Sequence, residues 1–118
     1  MIFSNEKPIY LQIADFICEM ILSGVFAPDS RIPSVRDYGA EIGVNPNTMM
    51  RTYEKLTDDG IIYNKRGIGY FVSPDAKETI LASERKDFME NVLPQIRRRM
   101  KLLGIPPEAI FENGGGEV

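Results

Sequence analysis

Apolar side chains recur at helical spacing from the start of the chain. Ile9, Ile13, Phe16, Ile17, Met20 and Ile21 predict a helix over 8–23, with Pro8 in the first turn, where its missing N–H would have no partner anyway. Gly24 suits the helix end, and Pro28, Asp29 and Ser30 are turn formers. Arg31 and Ile32 can form one rung of strand before Pro33. Ser34-Val35-Arg36-Asp37 reads as a capping box, with aspartate in place of the stronger glutamate. It opens a short helix over 35–42 with Tyr38 and Ile42 inward, ended by Gly43. Val44 tucks in, Asn45 caps and Pro46 starts the next helix, over 46–59. Its apolar stripe is Met49, Tyr53 and Leu56, with Thr52 beside it, and Gly60 is the stop. A strand over 61–63, a turn over 64–67 and a return strand over 69–72 complete a hairpin that Pro74 closes. Two strands are marginal alone, so this hairpin must lean on the helices.

Beyond Pro74 the pattern is helical again. Asp75 can cap a fourth helix, whose apolar face is Ile80, Leu81, Phe88, Val92 and Leu93. Pro94 must interrupt or kink it. Ile96, Met100 and Leu103 continue the stripe to Gly104, and Pro106, Pro107 and Glu108 open one more short helix. The fold expected is mainly α with a small β-hairpin. It comprises a winged helix-turn-helix head over 1–74, a helical region over 75–111 that pairs two copies, and a glycine-rich flexible tail over 112–118.

Composition narrows the function. A chain of 118 residues holds one small domain with an appendage, a size at which dimerisation commonly adds stability. Cys18 is the single cysteine and histidine is absent, so thiolate clusters and the commonest general base are missing. No catalytic residue, metal ligand or cofactor site is nominated, and an enzyme is not expected. The start of the chain lacks the basic segment of a signal peptide, and no window reaches the roughly 18 apolar residues of a membrane span. A cytoplasmic protein without membrane contact is expected. The net charge of −3 runs against nucleic-acid binding, but its distribution is uneven. Bases are scarce in residues 1–30 and absent from 102–118, and lie between these ends, mixed with acids. A dimer can still present one locally positive face.

The informative feature is the pair of helices joined by Gly43-Val44-Asn45-Pro46. A link this short forces a sharp turn, and the second helix can enter the major groove of double-stranded DNA. On its open side Asn47 can pair with adenine, Thr48 offers a hydroxyl and a methyl, Met50 can touch a thymine methyl or pack on another part of the protein, and Arg51 can reach guanine or a phosphate. Arg36, in the first turn of the preceding helix, and Ser34 are placed for the DNA backbone. Lys65, Arg66 and Gly67 form the wing tip, and Tyr70 can serve either hairpin packing or contact. Asn45 by itself reads as a structural cap. The residues expected to pair two copies are Ile80, Leu81, Phe88, Val92, Ile96, Met100 and Leu103. The run Arg97-Arg98-Arg99 reads as a solvated or ion-paired helix face. The alternative to a DNA-binding regulator is a winged-helix module for protein–protein contact.

The motifs Pro8-Ile9-Tyr10-Leu11-Gln12-Ile13, Ile21-Leu22-Ser23-Gly24, Arg31-Ile32-Pro33-Ser34-Val35-Arg36, Gly43-Val44-Asn45-Pro46-Asn47-Thr48, Tyr53-Glu54-Lys55-Leu56 and Gly67-Ile68-Gly69-Tyr70-Phe71-Val72 resemble together the GntR family of bacterial transcription regulators. The form of 44–48 and the short C-terminal part are similar to the YtrA-type subfamily. That resemblance implies a homodimeric repressor paired through its C-terminal helices, acting on an inverted-repeat operator beside transporter genes. Arg36, Thr48 and Gly67 or Gly69 match the family's DNA-contact positions, whereas Pro46 and Met50 stand where many members carry arginine. The large effector domain of other subfamilies does not fit residues 75–118. No small-molecule effector is identified.

Overall fold

The computed structural model describes residues 2–114, with side chains through residue 110. Two compact units divide at Leu81 and Ala82. In the first, α1 (Ile9–Leu22) buries Ile13, Ala14, Ile17 and Ile21, the i, i+4 face that its apolar spacing requires. Pro8 sits at its N-cap rather than inside the helix, and Ser23 is its C-cap. The helix α2 (Val35–Ile42) follows Ser34, whose hydroxyl oxygen accepts from the Asp37 N–H at 3.0 Å, and ends at Gly43 with a left-handed φ of 72°. The helix α3 (Pro46–Asp58) starts from Asn45, whose carboxamide oxygen accepts from the Asn47 N–H at 2.7 Å. It buries Met49, Thr52, Tyr53 and Leu56.

The strands β1 (Ile62–Lys65) and β2 (Gly69–Val72) pair antiparallel, Ile62 with Val72 and Lys65 with Gly69. β1 therefore runs two residues past its expected end, because Asn64 and Lys65 still have partners in Tyr70 and Gly69. The turn tightens to Arg66, Gly67 and Ile68, closed by the Ile68 N–H donating to Lys65 O at 2.9 Å. The other edge of β2 is used as well. Arg31 bridges Phe71, and the Ile32 N–H donates to Tyr70 O at 3.0 Å. The hairpin gains its support from below, since Ile32, Ile61, Ile62 and Val72 all enter the core formed by α1, α2 and α3.

The helix α4 (Ala76–Asp87) begins in this head. Ala76 and Ile80, one turn apart, dock in its core. This corrects the expectation for Ile80, which is only 3% exposed and closes the head instead of lying on a pairing face. The second unit continues through a π-helical turn, Phe88–Val92, into α5 (Leu93–Leu103) and α6 (Pro107–Gly114). Pro94 explains the wide turn. Its ring would clash with the Glu90 carbonyl in a regular helix, and the turn before it opens so that the Leu93 N–H reaches back to Phe88 O. Gly104 ends α5 with φ 67°. The backbone of α6 extends to Gly114, into the stretch expected to be a tail, and residues 115–118 of that tail lie outside the described residues. Among the described residues, no helix is long and apolar enough to cross a membrane.

Candidate nucleic-acid interface

The α2–α3 pair is tight because Gly39 allows it. A Cβ at that position would stand 2.9 Å from Val44 O and 3.1 Å from Met49 Cγ, so α3 packs against bare backbone. The Val44 N–H donates to Gly39 O at 2.8 Å and closes the turn. The angle of α3 is thus fixed before any ligand arrives.

Tyr53 joins the other parts to α3. Its hydroxyl donates to Pro33 O at 2.7 Å, one residue before the Ser34 cap. Its ring meets Tyr70 of β2 edge-on, with centroids 5.0 Å apart. Burial first, then the neighbouring Tyr38 and Tyr70, holds the Tyr53 phenol protonated well beyond its ordinary range. One side chain therefore links α3, the approach to α2 and the wing.

The candidate DNA contacts fall around this frame. Asn47 is exposed and Thr48 half-buried in the first turn of α3. Met50 keeps 42% of its surface open on the outer arc. Arg51 is exposed, but it is not a free surface arginine: its guanidinium carbon lies 4.1 Å from the centroid of the Tyr10 ring in α1. Arg36 projects from the first turn of α2, beside the half-buried Ser34. Lys65, Arg66 and Gly67 are exposed at the hairpin tip, where Gly67 takes φ 79°, a turn position that favours glycine. The Lys65 ammonium rests over the Phe71 ring at 4.6 Å. Tyr70 is half-buried against the head core, so its ring serves packing.

Sequence reasoning passed over Arg31. The Arg31 side chain crosses Gly69, where a Cβ would stand 2.8 Å from the guanidinium Nε, and Gly69 has φ 147°. This accounts for a second glycine in the wing and adds a cation to its base. The alternation of β2 offered the one available signal, since Arg31 and Gly69 lie on the face opposite Tyr70 and Val72.

In the second unit, Phe88, Val92, Ile96 and Leu103 are exposed, whereas Leu81, which closes the first unit, and Met100 of α5 are half-buried. An open groove of about 370 Å³ runs along Leu93, Ile96, Arg97, Met100, Pro107 and Ile110. Among the described residues, no group of three or more His, Cys, Asp or Glu is placed to hold a metal ion.

The family model for bacterial regulatory proteins of the gntR family matches residues 9–72, which span α1 through the wing. The chain belongs to the GntR family. As a GntR protein it is a DNA-binding regulator with a winged helix-turn-helix head. The HTH-type transcriptional repressor YtrA of Bacillus subtilis is 35% identical over 84% of this chain and 70% of its own length. The crystal structure of a putative GntR-family regulator from Bacteroides thetaiotaomicron superposes with a TM-score of 0.78 at 44% identity, covering 89% of this chain and 91% of that one. The DNA-binding domain of AraR, solved in complex with operator ORX1, superposes with a TM-score of 0.56 at 27% identity, covering 61% of this chain and 93% of that one.

Proposed function

We propose that this GntR protein is a cytoplasmic, homodimeric repressor without enzymatic activity, which binds an inverted-repeat operator. Asn47, Thr48 and Met50 read base edges, Arg36 and Ser34 hold the backbone at the start of α2, and Lys65, Arg66 and Gly67 engage the adjacent groove. The observation that carries this reading is the first turn of α3. It is polar, outward and fixed in angle by the Gly39 contact, and it belongs to the same rigid frame as a basic, glycine-tipped wing. Repression is supported by the likeness to YtrA, and operator binding by the likeness to the AraR domain. A head over 1–74, a pairing region over 75–111 and a short tail follow from this reading. Pairing is supported by the open apolar side chains Phe88, Val92, Ile96 and Leu103. The regulated genes are sought first among neighbouring transporter genes, as the resemblance to the YtrA type implies.

Selection from random duplexes with the full chain tests this directly. The expected product is an inverted repeat whose half-sites lie about one helical turn, or a multiple of it, apart. Recovery of no preferred duplex would favour the protein–protein module instead. Sedimentation equilibrium should give a dimer, and a monomer at micromolar concentration would overturn the pairing.

A further inference from the structure

The motif that opens α1 has no part in the interface so far, yet its tyrosine touches the recognition helix twice. The Tyr10 ring lies under the Arg51 guanidinium at 4.1 Å, and the Tyr10 carbonyl accepts from the Thr52 hydroxyl at 3.0 Å. Arg51, one turn after Asn47 on the open face of α3, therefore has its guanidinium drawn toward α1. Among the described residues, no carboxylate lies within ion-pairing distance of Arg51. Lys55, one turn further on, is engaged by Asp59 at 2.8 Å. A guanidinium that rests over a ring still has N–H donors to offer, and these match the fork of phosphate oxygens. On a helix lying in the major groove, a guanidinium drawn back toward a neighbouring helix is turned toward the wall of that groove, which is phosphate, and away from its floor.

We infer that Tyr10 and Arg51 form a preassembled phosphate grip, in which Arg51 holds one backbone phosphate of the operator and Tyr10 is the positioning residue that aims it. The inference rests on the DNA-binding reading and refines it: base recognition is left to Asn47, Thr48 and Met50, and the DNA-facing surface extends onto α1. The aromatic face matters and the phenol hydroxyl does not.

The test uses the full chain, a selected duplex and single base-pair variants of that duplex, with binding followed by fluorescence anisotropy across a salt series. Arg51→Ala should weaken binding about tenfold, equally for every duplex, and reduce the slope of log affinity against log salt by about one. Tyr10→Leu should weaken binding less, by about fivefold, and add nothing in the Arg51→Ala background, whereas Tyr10→Phe should match the parent. Thermal melting of each variant checks the fold. If Tyr10→Leu melts early, Tyr10→Phe and the Arg51→Ala salt slope still decide. An Arg51→Ala loss confined to one base position would make Arg51 a base reader and overturn the grip. Additive losses would overturn the role of Tyr10, and so would a loss in Tyr10→Phe. A parent chain that binds no duplex would remove the DNA-binding reading itself, whereas a parent that binds while the variants behave otherwise removes only the grip.

Discussion

Ile17 in α1 and Ile96 in α5 are the same side chain in two conditions: the first has no exposed surface and the second keeps 39% of its surface open. The contrast extends to their neighbours. In residues 1–81, Ile13, Met49, Tyr53, Leu56 and Val72 close one core around which three helices and a hairpin are fixed. In residues 82–118, no described residue of the π-helical turn or of α5 is buried, and Phe88, Met89, Leu102 and Leu103 face outward. The head has what a folded domain needs. The second unit carries apolar surface that a single copy leaves uncovered.

Substitutions can break that contrast or sharpen it. The largest effect is expected for Ile17→Ala, which removes a fully enclosed side chain and should cost about 2–5 kcal/mol in chemical denaturation, regardless of protein concentration. Ile96→Asp should instead leave the unfolding of the head unchanged. It should abolish the rise of melting temperature with concentration expected of a dimer and weaken operator binding. If both variants shift with concentration alike, the division between the units is not real. Gly39→Ala adds one methyl against Val44 O and Met49 Cγ and should cost about 1–3 kcal/mol. Leu102→Ala, at a side chain 86% exposed, should stay within about 0.5 kcal/mol.

A pH dependence confined to the head is expected as well. Burial first raises the pKa of both Tyr38 and Tyr53 above the ordinary 10.0, so the folded state keeps protons that the unfolded chain releases. That stability is complete below pH 10 and is lost as pH climbs from there toward the folded values. Denaturant titrations at pH 9 and pH 10.5 should differ, and by less in Tyr53→Phe.

What could be foreseen from the chain follows the range over which each cause acts. The limits of α2 and the start of α3 were legible because Ser34, Gly43, Asn45 and Pro46 act within a few residues of themselves. The exposed tip at Lys65, Arg66 and Gly67 was legible for the same reason, although the strand pairing that shifted the turn was not. Contacts between distant residues left no such trace. Thr52 and Tyr10 are 42 residues apart, and neither carries a local sign of the other. Spacing placed Ile80 on an apolar face but could not say what would cover it, and the head does so. Tyr70 was open to two readings because a wing aromatic suits either side of a hairpin, and its edge-on contact with the Tyr53 ring left no trace in the chain.

The Tyr53 hydroxyl and ring hold α3, Pro33 and β2 at once. A duplex therefore meets a plate and not three independent fingers. Little backbone ordering remains for the encounter itself, so discrimination between operators has to come from the side chains that the plate carries and from how readily each DNA sequence bends to fit it. On the proposed reading, such a protein would change its preferred site by exchanging residues such as Asn47 or Met50, not by reshaping the surface that presents them.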